Sequence, residues 1–307
     1  MFGYLRFLLA IIVLFSHTGL SPEWGNLGAT SVTIFYMLSG FVLTNLLNKL
    51  DKRGDCLIIN FYIDRFLRIF PLYIISLCFY YLYIIIKNAD LTTLSLLQNL
   101  TLIPCNYIKN PTIPVAWSLA LEFQVFLIMP IIYRNKVLFY SLGLISMIIF
   151  LASNLSYLNK YTWAYFKLPG VLFIFLTGSI IAQSKVNIIK SYLAIFIALI
   201  SLSGFFFVEF GFIERGGFQS EVLLGIFLGV LLIIQIKDSR RLKFNQELGS
   251  MSYSIFLIHF LFIFIFGDYN LNSYFFNLCV FSSSLIFSIL AYYLMERKLN
   301  NWRINLN

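Results

Sequence analysis

Charge is what this sequence has least of. Only 11% of its 307 residues are Asp, Glu, Lys or Arg, while 60% are hydrophobic. A soluble globular protein carries roughly 25% charged residues, so an ordinary cytosolic enzyme and a disordered chain are both excluded. Histidine is scarce, with two in the chain, and cysteine numbers four. Cys56, Cys78, Cys105 and Cys279 are scattered, with no C-x-x-C and no Cys/His pair. Neither a disulfide framework nor a zinc site is expected, and no residue is assigned to a metal. Period-2 alternation is missing too, which argues against a β-barrel. No internal repeat, low-complexity tract or soluble linker is visible.

What the sequence has instead is long apolar blocks. They fall at roughly 3–20, 29–48, 69–87, 118–133, 136–153, 164–183, 191–209, 222–236, 249–267 and 274–295. A bilayer-spanning helix needs about 20 apolar residues. The expected fold is therefore an all-α integral membrane protein of about ten transmembrane helices, one domain over 1–307 with no appended soluble domain. The N-terminal stretch has one positive charge, Arg6, and no small-residue cleavage site, so it reads as a retained span and not a signal peptide.

The net charge is +9. Nucleic acid is not the expected partner; the excess fits the Lys and Arg of cytoplasmic loops. An even number of spans puts both termini on one side. With the N-terminus cytoplasmic, Lys87, Lys109, Lys160, Lys167 and Arg215 lie outside and the other seventeen of the 22 basic residues lie inside. The inverted topology breaks the positive-inside rule at every loop. Two connections are long. Residues 49–68 are expected to hold an interfacial amphipathic helix on the cytoplasmic side. Residues 88–117 face outside, are broken by Pro104, Pro111 and Pro114, and have the length to cover a substrate cleft.

Ionisable residues inside spans cost roughly 2.5–3.5 kcal/mol at the bilayer centre and default to function. Both histidines lie in such blocks. His17 stands near the outer end of the first, eleven residues after Arg6. Eleven steps of about 100° come within about 20° of three turns, so both project from one helix face about 16 Å apart. That matches the reach of a pantetheine arm between its phosphates and its thioester. Alternatively Arg6 snorkels to the interface and His17 bonds a neighbouring helix.

Arg65 and Arg68 sit one helical turn apart, and paired guanidiniums suit phosphate; the alternative is positive-inside ballast. Glu122 follows Trp117 and Ser118 into the fourth block. As a costly carboxylate it needs a partner, for which His17 is a natural choice, or else it is hydrated at an interface that Trp117 anchors. His259 lies about 15 Å into the ninth block from Gly249 and serves either structure or the substrate site. Glu296 reads as an interfacial ion-pair partner of Arg297. Ser39 and Gly40 allow close helix approach, which packing or a ligand would use.

Together these positions resemble the acyltransferase 3 family, the membrane-bound acyltransferases of bacterial surface glycans. The resemblance runs through nearly the whole chain in order. R-x3-A-x6-H falls at Arg6, Ala10 and His17. A glycine and then F-x3-SGF fall at Gly28, Phe35, Ser39, Gly40 and Phe41. F-x3-R-x2-RI-x-P takes in Arg65, Arg68 and Pro71. The most specific string, WSL-x2-E-x-Q-x-F-x3-P, falls at Trp117, Ser118, Glu122, Gln124, Phe126 and Pro130, and LGSMSYSIFLIH and Glu296 come last. Two positions depart: Phe123 stands where a second glutamate often follows the first, and Lys167 where an arginine often precedes the sixth span. These departures leave the donor and acceptor preference open.

The resemblance implies transfer of an acyl group, usually acetyl, from cytoplasmic acetyl-CoA or another acyl-CoA to a hydroxyl of an O-antigen, capsule, exopolysaccharide or lipid-linked glycan. The protein is then a multi-pass O-acyltransferase of the bacterial inner membrane, with acyl-CoA as co-substrate and no permanently bound cofactor. Its partners are acyl-CoA, a carbohydrate acceptor and the lipid bilayer. His17 and Glu122 are the expected catalytic residues. Arg6, Arg65 and Arg68 are the expected donor-phosphate ligands, and Ser39, Trp117, Ser118 and His259 are substrate-site or structural. The acceptor, the acyl chain, the choice between general base and acyl-histidine, and a homo-oligomeric state stay open. Two other classes remain: a transporter or flippase of a lipid-linked glycan, and a scaffold that hands acyl groups to a separate transferase. In a third case, another membrane O-acyltransferase family, His259 and not His17 would be essential.

Overall fold

The computed structural model describes residues 1–19, 22–53, 57–88, 93–108, 111–184, 188–240, 242–269 and 271–306. Lys109, Lys185 and Arg241, counted above among the loop charges, lie outside the described residues. Twelve α-helices follow in order among the described residues: α1 (Phe2–His17), α2 (Pro22–Arg53), α3 (Leu57–Ile86), α4 (Thr93–Thr101), α5 (Ala116–Arg134), α6 (Lys136–Asn154), α7 (Leu168–Gln183), α8 (Ile188–Glu209), α9 (Gln219–Ile236), α10 (Asn245–Gly267), α11 (Ser273–Ala291) and α12 (Arg297–Leu306). No strand occurs among the described residues.

Among the described residues, eight helices are long and apolar enough to cross a membrane. The first and sixth apolar blocks form the shorter helices α1 and α7, of 16 residues each. At 1.5 Å per residue each is about 24 Å long, less than the roughly 30 Å of a hydrocarbon core. The chain is thus an all-α, multi-span membrane protein. α1 ends because Gly19 turns into the left-handed region at φ 66°, where a side chain is penalised. α7 starts at Leu168 because Lys167 is extended and Pro169 suits only the first helical turn.

The separate amphipathic helix expected over 49–68 is corrected by the structure. Residues 49–53 complete α2, and 57–68 open α3, which runs on through Pro71. The proline ring breaks one backbone bond, yet the helix continues because its flanks are apolar and anchored. Tyr253 donates to the Ile69 carbonyl at 3.0 Å and Tyr80 to the Leu257 carbonyl at 3.1 Å. Residues 88–117 carry α4 and a 3-10 turn at Ile103–Asn106. Asn99 orders them: Tyr73 Oη donates to its carbonyl at 2.7 Å and the Thr112 N–H to its Oδ1 at 2.9 Å.

The helices form two compact units. The first comprises Met1–Gly28, Ile59–Ala120 and Arg241–Asn307. In it α1 packs along α10, and α10 along α11. The second comprises Ala29–Ile58 and Leu121–Arg240. Its centre is α7, buried from Gly170 to Ala182. A Cβ on Gly40 would overlap the Phe175 carbonyl, and one on Gly178 the Met37 carbonyl, so α2 and α7 touch backbone to backbone. Small residues are what make such approaches in membranes, where van der Waals contact replaces the hydrophobic effect between helices. The Ser-Gly pair at 39–40 is therefore used for packing. Tyr36 stacks on Phe175 nearby, with ring centroids 4.7 Å apart.

Candidate functional site

The first unit holds both histidines. The Gly3 N–H donates to Asn245 Oδ1 at 2.9 Å, and His17 Nδ1 lies 3.2 Å from His259 Nε2. Each contact joins residues 242 apart in sequence. A constant offset means that α1 and α10 run parallel and in register, over about 21 Å at the α-helical rise. Gly249 and Gly3 allow this closeness: a Cβ on either would meet backbone of the other helix. The register is what carries His17, an exposed residue at the end of α1, onto the fully buried His259. The two rings lie 5.3 Å apart, near parallel at 19°, and Phe260 sits 4.6 Å from the His17 ring.

His17 is thus brought together with His259. The carboxylate partner expected for it, Glu122, takes a different hydrogen bond. In the second unit Ser39 Oγ donates to Glu122 Oε1 at 2.8 Å. Ser39 is buried and Glu122 half-buried, so this charge-assisted bond offsets part of the cost of the carboxylate's desolvation. Ser39 therefore serves Glu122 as well as the close approach of Gly40. In the first unit, Ser118 Oγ folds back onto the Val115 carbonyl at 3.0 Å, closing the turn that opens α5, and Trp117 beside it is half-buried.

The arginines of the R-x-x-R pair are both engaged with carboxylates. Arg65 is ion-paired with the fully buried Asp64, its Nε donating at 2.8 Å. Arg303, on α12, binds the same carboxylate through Nε at 3.0 Å and Nη2 at 3.3 Å. Arg68 pairs with Glu296 at 3.4 Å and donates to the Gly249 carbonyl at 2.9 Å and to Ser250 Oγ at 3.3 Å. Asn300 links the two groups, donating to Ser250 and accepting from Arg303, each at 2.9 Å. Beside it lies a small, partly open hollow lined by Arg68, Glu296, Asn300 and Arg303 among others.

α10 relates this network to the histidines. Arg68 holds Gly249, and His259 lies ten residues further, about 15 Å along the axis. Arg6 stands on α1 about 16 Å before His17 by the same rise. The arginine end and the histidine end of the first unit are therefore separated by about the length that the spacing of Arg6 and His17 anticipates.

Residue type and spacing single out neither Asp64 nor Arg303 as a site residue. Arg303 sits in a polar terminal helix and looks like ballast. The usable signal was Asp64 itself, an acidic residue among the aromatics of FYIDRFLRIF. Asn245, which sets the register of α1 against α10, had no signal beyond its place at a helix start. Glu296 was expected beside Arg297, but its ion pair is with Arg68.

Among known families, the acyltransferase domain of the acyltransferase 3 type matches residues 2–297. An uncharacterised protein of Aquifex aeolicus (strain VF5) is 35% identical over 204 residues, covering 63% of this chain and 90% of that protein. No solved structure matches the chain.

Proposed function

The chain belongs to the acyltransferase 3 family, and on that premise we propose that it transfers an acyl group, acetyl first, from acyl-CoA to a sugar hydroxyl of a surface or lipid-linked glycan. The proposed setting is the bacterial inner membrane, with both termini cytoplasmic. The sorting of basic residues supports that orientation. The observation that carries the reading is the parallel α1–α10 pair, with arginines towards one end and a hydrogen-bonding histidine near the other.

In this reading the phosphates of acyl-CoA meet Arg6, Arg65 and Arg68, with Arg303 adding a fourth guanidinium near them. Rigid bidentate forks suit phosphate oxygens. The pantetheine arm lies along the helices and presents the thioester at His17. Neutral His17 takes the proton of the acceptor hydroxyl as general base, a role worth roughly 10²–10⁴-fold. The sugar oxygen attacks the thioester carbonyl, the C–S bond breaks, and the proton passes from His17 to the departing thiolate. The products are the acylated sugar and free CoA thiol. Glu122, held by Ser39, is the further residue proposed to serve catalysis.

The test compares the mass of surface glycan from cells with the intact chain, without it, and with His17→Ala. One acetyl mass lost per repeat in both deficient strains is the expected result. Unaltered glycan mass in the His17→Ala strain, with the variant present and folded, overturns the proposed role. Unaltered mass with glycan export lost instead would identify a transporter.

A further inference from the structure

His259 touches no proposed reactant, yet it is fully buried and bonded at both ring nitrogens. Its Nδ1 lies 3.1 Å from the Ile255 carbonyl oxygen. A carbonyl only accepts, so that nitrogen carries the hydrogen. In a neutral imidazole the other nitrogen is then a lone pair. His259 Nε2 is therefore an acceptor, and at 3.2 Å the nitrogen facing it, His17 Nδ1, must donate. The opposite assignment sets the His259 Nδ1 lone pair against the Ile255 oxygen. With Nδ1 protonated, neutral His17 has its lone pair at Nε2.

We propose that His259 is the positioning residue of the transfer reaction: it holds His17 in the Nδ1–H tautomer, so that the basic Nε2 lone pair is the one offered to the acceptor hydroxyl. The proposal rests on the reading of His17 as the base. The order is a relay of acceptors, from the Ile255 carbonyl to His259 to His17, that leaves one basic nitrogen at its open end. Phe260 packs on both rings, at 4.6 Å from His17 and 4.8 Å from His259. It fixes their planes, and as a hydrocarbon it has no say in the tautomer. When His17 takes up the substrate proton, its Nδ1–H bond to His259 becomes charge-assisted and so strengthens. The support is greatest when the sugar oxygen is attacking, as positioning of a base requires.

The chain has only two histidines, which makes the tautomer directly observable. The full-length protein, with both imidazole rings labelled with nitrogen-15 and held in lipid nanodiscs, gives four ring signals. Hydrogen-bearing and lone-pair nitrogens separate by chemical shift, and Nδ1 and Nε2 by their couplings to the ring C–H protons. The expected spectrum has hydrogen on Nδ1 of both rings and lone pairs on both Nε2. His17 with its hydrogen on Nε2 overturns the proposal, and the wild-type spectrum decides this whether or not any variant folds.

Kinetics supply the second readout, as acetyl-CoA-dependent thiol release in membrane vesicles carrying the glycan. His259→Gln places an amide oxygen near the position of Nε2, so it keeps the acceptor and holds kcat within about tenfold of wild type. His259→Leu removes the acceptor, frees the His17 tautomer and lowers kcat about 10²-fold with KM for acetyl-CoA little changed. Equal losses in the two variants with the His17 tautomer unchanged overturn the positioning role. The expected tautomer together with full transfer by His17→Ala leaves the relay standing and overturns instead the reading of His17 as the base.

Discussion

Alanine at Gly40, Gly178 or both tests whether the second unit is built on backbone contact. Each added Cβ falls on a main-chain carbonyl, of Phe175 or Met37. Backbone cannot swing aside as a long side chain would, so α7 must move away from α2. Overpacking of this kind costs about 1–3 kcal/mol. The displacement also stretches the Ser179 Oγ bond to the Gly40 carbonyl, now 3.2 Å, worth about 0.6 kcal/mol in a membrane setting. Alanine returns up to about 1 kcal/mol of helix propensity. The balance is a loss of about 2 kcal/mol for each single variant, or about 30-fold in the folding equilibrium. Gly40 and Met37 are one turn apart on α2, as are Phe175 and Gly178 on α7, so one displacement relieves both clashes. The double variant pays the displacement once while each alanine returns its own helix propensity, so it is expected to lose about 2 kcal/mol or less and not the additive 4. Reversible denaturation from mixed micelles, followed by the fluorescence of the four tryptophans, measures the cycle. A neutral single variant, or additivity within about 0.5 kcal/mol, refutes the reasoning. Since Ser39 adjoins Gly40, transfer activity should fall in step with the loss of the Ser39–Glu122 bond.

Ser39→Ala is expected to cost about 1.5–3 kcal/mol, the worth of a hydrogen bond to a charged acceptor. Glu122→Gln, which keeps an acceptor oxygen, should lower the melting temperature less than Glu122→Ala, and equal shifts would argue against the bond. Arg68→Leu strands the buried Glu296 and should cost about 3–5 kcal/mol. Adding Glu296→Leu should recover most of that stability while leaving acetyl-CoA binding weak, and a double variant no more stable than the single would count against the ion pair. Gly3→Ala forces α1 off Asn245 and should slow transfer at least tenfold by misplacing His17, since displacements near 1 Å can cost about 10²-fold; an unchanged kcat would deny that the register matters. Lys87 pairs with Asp268 in the open, at 45% and 43% side-chain exposure; Lys87→Ala should leave the melting curve where it is, as exposed pairs contribute little.

The helices were legible because apolar runs of bilayer length have few other uses, and the blocks that formed shorter helices did so at ends marked by Gly19 and Pro169. The stretch 49–68 misled because its charges have a helical spacing that suits an interface. In the fold Asp64 and Arg65 turn inward to one another and to Arg303, which no pattern along residues 49–68 reveals. The same limit governs the candidate site. Desolvation is a property of one residue in its own block, so the sequence exposes which groups need partners: His17, His259, Glu122 and Arg68 all stand out. The identity of each partner is a property of register between helices distant in the chain. For the histidines that register is held by Gly3 and Asn245, two residues that read as ordinary helix ends. Carboxylate–histidine pairing is the natural expectation for an imidazole in an apolar block. A second imidazole meets the same need because it too has an acceptor nitrogen, provided its other nitrogen is committed elsewhere, and the Ile255 carbonyl supplies that commitment. Which nitrogen of His17 is basic thus follows from a helix register and one backbone oxygen, both beyond the reach of residue type and spacing.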